Sequence, residues 1–412
     1  MAEETIGIWL IGAWGGVSTS VAVGLSALQA GLTNQTGLVT SLAPFDTLGL
    51  ADWSQFVIGG HEIRDTNYLG EAERLNEQSG VFSPKVLEGT AERLRQFDRH
   101  IRPGTLINAG PSIEALASEE VKARADESPI AAVQRLRCDI EQFREDLELD
   151  HVVVVNLAST EPRQDVRVPS DWTELWHLLE SSDRSPLPAS SLYAIAAMQA
   201  GCSYINFTPS LGAELPALKE LAERQGVLHA GRDGKTGETL LKSVLAPMFA
   251  ARNLRVLSWV GHNIFGNLDG RVLSDPAHKA SKIETKDRLL GQILGYKPQT
   301  LVTIEYIESL GDWKTAWDHI HFRGFLDTKM TMQFIWQGCD SLLAAPLVLD
   351  LVRLTERERR RGSRGVMTHL ACFFKSPMGT DVADFVSQFR MLEQWAADVA
   401  AAETTTGDGA GD

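Results

Sequence analysis

Residues 259–286 concentrate side chains that could do chemistry together. This stretch holds two amides, one carboxylate and two lysines, at Asn263, Asn267, Asp269, Lys282 and Lys286. If the chain is helical from residue 281 onward, the two lysines lie on one face about one turn apart. Each ammonium then lowers the pKa of the other, so the pair could transfer protons or hold a dianionic phosphate.

Two interpretations of this stretch are open. A Lys-x-x-x-Lys pair alone is more often a solvated helix face than a functional site. Glycines at Gly261, Gly266 and Gly270 predict that the first half is a loop whose backbone approaches a ligand. The glycines and the amides together favour the functional interpretation.

Composition is typical of a soluble globular enzyme. The 412 residues suffice for two domains, and 43% of them are apolar and 23% charged. A net charge of −15 argues against nucleic acid and anionic membranes as partners, and no apolar run is long enough to span a membrane. Acids near the N-terminus do not resemble a signal peptide and the four cysteines are scattered, so we expect a reduced, cytoplasmic protein. An anionic substrate would then need a local basic pocket.

The N-terminal residues follow the pattern of a dinucleotide-binding unit. An apolar run, Ile6–Ile11, precedes a Gly-Ala-Trp-Gly-Gly turn at residues 12–16 and a helical pattern over 17–30. This order places a pyrophosphate at the helix N-terminus. The match is incomplete, because the GxGxxG pattern requires glycine where Trp14 and Val17 stand. A structural turn in another α/β fold is the alternative.

The second strand is predicted over residues 37–41. It ends without the acid that usually binds the adenosine ribose, because Thr40 and Ser41 occupy that place and Asp46 comes late. No arginine follows closely to receive a 2′-phosphate, so the sequence favours NAD over NADP.

Alternating strands and helices predict a parallel, doubly wound sheet. Further strands are predicted over residues 105–108, 151–156, 203–207 and 227–230. Small polar residues follow them, at the edge where such sheets bind ligands. A glycine-rich turn after the last of these strands carries Asp233 and Lys235 and is expected to be exposed. It is not an ATP-binding Walker A loop, because His229 stands where the first glycine is required.

The pattern changes in the second half, where short connections favour an antiparallel sheet in a second domain. Strands are predicted over residues 300–307, 319–326, 329–336 and, later, 366–374. A turn supplies Lys314, Asp340 opens an apolar helix over 341–354, and Lys375 follows the last strand. The arginine-rich segment 353–364 is interpreted as a solvated helix end.

Nine short motifs occur along the chain in a fixed order. They are GAWGGVSTS from residue 12, VNLASTEP from 155, NFTPS from 206, AGRDGKTGETL from 230, GHNIFGNLDG from 261, SKIETK from 281, GDWK from 311, CDSLLAAPL from 339 and FFKSPM from 373. Together they resemble the myo-inositol-1-phosphate synthase (inositol-3-phosphate synthase) family in its shorter archaeal and bacterial form. The likeness extends over nearly the whole chain.

The resemblance implies a Rossmann-like α/β fold, a doubly wound parallel sheet with an inserted α+β catalytic and tetramerisation domain built on an open sheet. The NAD-binding domain would comprise residues 1–238 and 340–400, the inserted domain 239–339, and a disordered tail 401–412. The inserted strands are rich in apolar residues, so a homotetramer is expected to cover them.

The activity implied is an NAD-dependent, redox-neutral conversion of D-glucose 6-phosphate to 1D-myo-inositol 3-phosphate. Oxidation at C5, enolisation, an intramolecular aldol closure and reduction by the same NADH would follow one another. One alternative is an NAD-dependent sugar-phosphate dehydrogenase with net hydride transfer. Another is an inactive NAD-binding protein, against which the retained lysines and acids argue.

The resemblance also implies the site residues. The catalytic residues would be Lys282, Lys286, Lys314, Lys375, Asp269, Asp340 and Asn263, with the four lysines converging on one pocket. Lys282 and Lys314 would act at the reacting oxygens, Lys286 and Lys375 would mainly hold phosphate, and Asp340 would position lysines. The cofactor would contact Gly12, Ala13, Trp14, Gly15, Gly16, Val17, Ser18, Thr40, Ala109, Asn156, Ala158, Ser159, Thr160 and Asp233. A divalent cation is compatible with the family, although no His, Cys and acidic cluster here has metal-ligand spacing.

Overall fold

The computed structural model describes residues 4–162, 165–267 and 289–407, which form two sheets with helices around them. The strands are β1 (Ile6–Ile11), β2 (Phe56–Glu62), β3 (Ile101–Pro103), β4 (His151–Asn156), β5 (Ser203–Asn206), β6 (Leu228–Gly231), β7 (Arg255–Phe265), β8 (Gln299–Tyr306), β9 (Trp313–Arg323), β10 (Lys329–Cys339) and β11 (Gly365–Val366). The helices are α1 (Gly16–Gln29), α2 (Tyr68–Ser79), α3 (Pro84–Asp98), α4 (Pro111–Glu114), α5 (Glu119–Lys122), α6 (Pro129–Asp146), α7 (Trp172–Ser181), α8 (Ala189–Gln199), α9 (Pro216–Gln225), α10 (Glu238–Ala251), α11 (Asp340–Arg360) and α12 (Phe385–Gly407).

The first sheet has the strand order β11-β6-β5-β4-β1-β2-β3 in the described residues, and its strands pair in parallel. Strand β1, in the interior of this sheet, is buried on both faces, because alternate side chains enter different cores. Ile8 packs in a core with α1 and α11, whereas Trp9 packs in a core with α6 and α8. The predicted doubly wound parallel sheet is therefore confirmed.

The second sheet has the order β10-β9-β7-β8. β9 runs antiparallel to β7 and β10, but β8 runs parallel to β7, so the sheet is mixed and not purely antiparallel. One face packs on α10 through Phe249, Trp259 and Ile320. The loop predicted for the first half of 259–286 is wrong for residues 259–265, because β7 continues through Gly261 to Phe265.

Three strand predictions in the first sheet are wrong, and each has a physical reason. Residues 37–41 form a turn, because the backbone N–H groups of Val39 and Thr40 donate to the Asp350 carboxylate instead of a neighbouring strand. The strand predicted over 105–108 is replaced by β3, since the Thr105 N–H donates to the Tyr193 hydroxyl. Only β11 and a 3₁₀ helix, Thr368–Phe373, occur over 366–374, because the Leu370 N–H donates to the Met367 carbonyl and the Phe374 N–H to the Ala371 carbonyl instead of to a neighbouring strand.

The C-terminal part returns to the first sheet through β11, which pairs with β6. α11 extends beyond the predicted end at residue 354, and its arginines are not all solvated. Arg353 donates to the Ala51 carbonyl and Arg357 to the Leu48 carbonyl, so the interpretation of a solvated helix end is wrong for these two. The tail predicted from residue 401 is helical as far as Gly407.

Candidate active site

A cleft of about 640 Å³ opens beyond the carboxyl ends of the parallel strands. The first sheet contributes Gly12, Asn156 and Thr208 to its wall, and the second sheet contributes Lys314. This is the edge at which open parallel sheets bind ligands. The cleft therefore lies between the second sheet and the edge of the first sheet at which the cofactor is expected.

The glycine turn brings backbone close to the cleft at the start of α1. Gly12 has φ 78°, and a Cβ there would lie 2.9 Å from the Ala158 Cα. A Cβ on Gly16 would lie 2.8 Å from the Ser341 hydroxyl oxygen. No side chain caps α1 and no acid lies in its first turn, so its N–H groups suit an anionic pyrophosphate.

Several predicted cofactor residues line the cleft and others do not. Those in the lining are Gly12, Gly15, Gly16, Val17, Ala109, Asn156, Ala158, Ser159, Thr160 and Asp233. Ala13, Trp14 and Ser18 are absent from the lining; the Ser18 hydroxyl donates to the Gly12 carbonyl at 2.8 Å and supports the turn. Thr40 is also absent, because its buried hydroxyl donates to Asp350 Oδ1 at 2.7 Å.

An acid does stand at the end of the true second strand. Glu62 ends β2 and lines the cleft, and its carboxylate accepts from the Trp14 N–H at 2.8 Å. This is the place of the ribose-binding acid, which the sequence analysis missed because it predicted β2 too early. Arg64 lies beside it, 3.2 Å from Glu62 Oε2, so an arginine does follow the true second strand, although none lies near residues 40–46. Both of its described ion pairs are to carboxylates, Glu62 and Glu71.

Glu161 is a second cleft residue that the sequence analysis missed. Its buried carboxylate accepts from the Ser190 N–H and the Ser190 hydroxyl, each at 2.6 Å. Burial raises the pKa of this carboxyl from 4.5 to about 7. The VNLASTEP motif that contains it was the available signal.

Asp233 and Lys375 meet in the cleft although they are 142 residues apart, with Lys375 Nζ 2.6 Å from Asp233 Oδ1. Backbone bonds hold the two segments together, since the Lys375 N–H donates to the Asp233 carbonyl and the Lys235 N–H to the Phe373 carbonyl. The glycine-rich turn that carries Asp233 and Lys235 is not exposed, contrary to the prediction. Lys235 is buried and donates to Gln388, and burial lowers its pKa to about 8.

Lys314 and Asp340 form another ion pair in the cleft, at 3.7 Å. Lys314 lies near the start of β9 and not in a turn, and its ammonium stands 5.1 Å from the centre of the Phe265 ring. Asp340 is the first residue of α11 and accepts from the Thr236 hydroxyl at 3.2 Å. Each of these lysines thus reaches the cleft with a carboxylate beside it.

A smaller pocket at the N-terminus of α10 shares Lys314 and Lys375 with the cleft. Its lining also includes Gly237 and four residues with polar side chains, Thr236, Glu238, Thr239 and Asn263. No side chain caps α10, so backbone N–H groups and two ammonium groups face the same space. Such a combination suits a phosphate group.

Comparison with known proteins decides the family. The sequence model of the myo-inositol-1-phosphate synthase family matches residues 6–397. The chain belongs to this family.

Its relatives include inositol-3-phosphate synthase 1 of Bacteroides thetaiotaomicron, 31% identical over 95% of each chain. A probable inositol 3-phosphate synthase isozyme of Arabidopsis thaliana is 30% identical over 85% of this chain and 72% of its own. The crystal structure of inositol-3-phosphate synthase from Caenorhabditis elegans superposes with a TM-score of 0.84 at 27% identity, covering 97% of this chain and 86% of that one. The family resemblance inferred from the nine motifs is confirmed.

The described residues contain part of the catalytic set expected from the myo-inositol-1-phosphate synthase family. They bring together Lys314, Lys375, Asp340 and Asn263 around the cleft and the small pocket. Lys282, Lys286 and Asp269 lie outside the described residues. The cradle at Gly12 and the acid at Glu62 fit the NAD of this family.

Asp312, in the GDWK motif, is a buried carboxylate that the sequence analysis did not single out. It accepts from Asn267 Nδ2 at 2.9 Å, from the Cys339 thiol at 2.8 Å and from the Ser341 N–H at 2.8 Å. Burial raises its pKa. The carboxylate ties β9 to the start of α11, where Asp340 faces Lys314.

Among residues 4–162, 165–267 and 289–407, no group of three or more His, Cys, Asp or Glu side chains could hold a metal ion. In the same described residues, no helix is both long enough and apolar enough to cross a membrane.

Proposed function

We propose that this enzyme converts D-glucose 6-phosphate to 1D-myo-inositol 3-phosphate with no net redox change. The observation that carries the proposal is the sharing of Lys314 and Lys375 between the cofactor cleft and the pocket at the α10 N-terminus. A sugar phosphate held in that pocket would reach the cleft with both ammonium groups near it.

We assign the residues as follows. The α10 N–H groups and Lys375 bind the phosphate, and Lys314 stabilises negative charge at a reacting oxygen. Asp233 and Asp340 keep these two ammonium groups in place through their ion pairs. NAD, held at the glycine turn and Glu62, supplies a hydride acceptor and donor when bound. Lys282, Lys286 and Asp269 complete the set by family resemblance.

One experiment separates this activity from that of a sugar-phosphate dehydrogenase. Purified protein is incubated with NAD and glucose 6-phosphate, while phosphorus NMR and absorbance at the NADH maximum are followed. The synthase produces inositol phosphate without accumulating NADH, whereas the dehydrogenase accumulates NADH in step with a sugar acid or ketose phosphate. A parallel sample with EDTA tests the divalent cation, whose removal stops turnover only if the reaction requires it.

We further propose assembly as a homotetramer through the inserted domain, residues 239–339, with residues 1–238 and 340–400 as the NAD-binding domain. The face of the second sheet away from α10 supports this, because Ile335 is 71% and Leu301 51% exposed there. Ile304 and Phe322 also contribute to the apolar character of these strands, but they are buried on the opposite face of the sheet. Light scattering should give the tetramer mass, and a monomer at micromolar concentration would contradict the assembly.

The four cysteines also support a cytoplasmic location. Cys202, Cys339 and Cys372 are buried free thiols and Cys138 is an exposed one, which is typical of a reducing compartment.

A further inference from the structure

Glu238 is a buried carboxylate at the first position of α10, next to the small pocket. Its Oε1 lies 2.5 Å from the ammonium of Lys242, one helical turn onward, and each side chain is 1% exposed. The ion pair compensates the charge of Glu238. A carboxylate can therefore stand at the pocket where a phosphate is proposed without presenting a net negative charge.

The other oxygen of Glu238 holds Asn263. Asn263 Nδ2 donates to Glu238 Oε2 at 2.6 Å and makes a longer contact of 3.4 Å to the Thr303 carbonyl oxygen. A carboxylate and a carbonyl only accept hydrogen bonds, so the NH₂ end of the amide must face them. The hydrogen-bonding chemistry of the partners therefore decides which end of the Asn263 amide is nitrogen and which is oxygen.

The opposite end of the same amide is left for a ligand. Asn263 Oδ1 is buried, and no donor in the described part of the chain reaches it. Asn263 lines the small pocket together with Lys314 and Lys375. A buried acceptor without a donor costs free energy, and a ligand that donates a hydrogen bond removes that cost.

We propose that Glu238 is a positioning residue that fixes the Asn263 amide with its carbonyl oxygen toward the substrate. The inference rests on the proposed function and adds a rule of recognition to it. Asn263 accepts from a sugar hydroxyl and rejects a phosphate or carbonyl oxygen, which the lysines and the α10 N–H groups take instead. The sugar phosphate is thereby bound with its phosphate at the lysines and a hydroxyl at Asn263, and not in the reversed orientation.

The isosteric change Glu238→Gln tests the rule, because a glutamine can both donate and accept. With its oxygen on Lys242, the introduced glutamine offers NH₂ to Asn263, and the Asn263 amide turns its own NH₂ toward the pocket. The probes are glucose 6-phosphate and its 2-, 3- and 4-deoxy derivatives, whose Kd values are measured by calorimetry in the presence of NADH, which cannot accept the hydride of the first step. The wild-type enzyme should bind at least one deoxy derivative about 5- to 100-fold more weakly than glucose 6-phosphate.

Glu238→Gln should reduce that preference to within about 2-fold, since the acceptor is lost. The double change Glu238→Gln with Asn263→Asp puts a carboxylate where the amide was and should restore part of the preference. The matched control is Glu356→Gln, another carboxylate that is 1% exposed and ion-paired, but lines neither the cleft nor the small pocket. It should keep the wild-type preference.

The inference is overturned if Glu238→Gln discriminates as the wild type does, or if the wild type does not discriminate at all. Should Glu238→Gln fail to fold, the double change decides, and a double variant without preference overturns the inference. Because Kd values do not depend on turnover, the proposed function fails separately, when the wild type binds glucose 6-phosphate but makes no inositol phosphate.

Discussion

The ion pair between Asp233 and Lys375 allows a quantitative prediction. Its atoms are 2.6 Å apart, and the lysine and aspartate side chains are 12% and 5% exposed. Lys375→Met removes the ammonium and leaves a buried carboxylate without its described cation. Losing one partner of such a pair costs about 3–5 kcal/mol, and access from the cleft places the cost near the lower value.

The same change should weaken substrate binding. If Lys375 contacts the phosphate, a charge-assisted hydrogen bond of about 1.5–3 kcal/mol is lost. The KM for glucose 6-phosphate should then rise about 10- to 150-fold, and the KM for NAD should change far less. Initial rates with each substrate varied in turn measure both constants.

A double-mutant cycle separates the two effects. The midpoint of thermal unfolding is measured for the wild type, Lys375→Met, Asp233→Asn and the double variant. Asp233→Asn should recover part of the stability that Lys375→Met loses, because no buried charge is then left behind. The control is Lys122→Met, whose exposed pair with Glu119 should contribute little.

Two results would refute this reasoning. One is a Lys375→Met enzyme with an unchanged KM for glucose 6-phosphate. The other is strict additivity of the two single changes in the unfolding midpoint.

Three other changes should have measurable effects. The pKa of the Glu161 carboxyl is about 7 in the folded state, against its ordinary value of 4.5. Between these pH values the folded state binds more protons than the unfolded state, so the free energy of unfolding falls as the pH rises from 4.5 to 7. Glu161→Gln should make the urea midpoint of unfolding less dependent on pH over that range. Glu62→Gln should raise the KM for NAD and reduce the preference of the enzyme for NAD over NADP, as measured by initial rates with each cofactor. Asp312→Asn should lower kcat more than it changes the KM for NAD, since it loosens the contact of β9 with α11 beside Lys314 and Asp340; an unchanged kcat would contradict this positioning role.

Local patterns in the sequence predicted the first sheet well where strands were long and apolar. β1 with its turn and β4 are the examples, because both are buried on both faces and read as continuous apolar runs. The turn at residues 37–41 also contains apolar side chains, Leu38 and Val39, but it is held by Asp350, 310 residues after Thr40. No local pattern reports such a distant partner.

The candidate site shows the same limit. Glu62 was missed only because β2 was predicted too early, so the rule for the ribose acid was sound but applied to the wrong strand. The pairing of Lys375 with Asp233 needed the family resemblance, since nothing near either residue indicates the other. Asp312 and Glu238 act through partners in other elements, and the chain order does not show those contacts.

The central claim is that the redox change is internal to one catalytic cycle. The most direct measurement supplies NAD at one equivalent per active site, with glucose 6-phosphate in large excess and no other oxidant. Many equivalents of inositol phosphate per NAD should form, while absorbance from NADH stays at or below one equivalent. Product that stops at one equivalent while all the NAD becomes NADH would contradict the account.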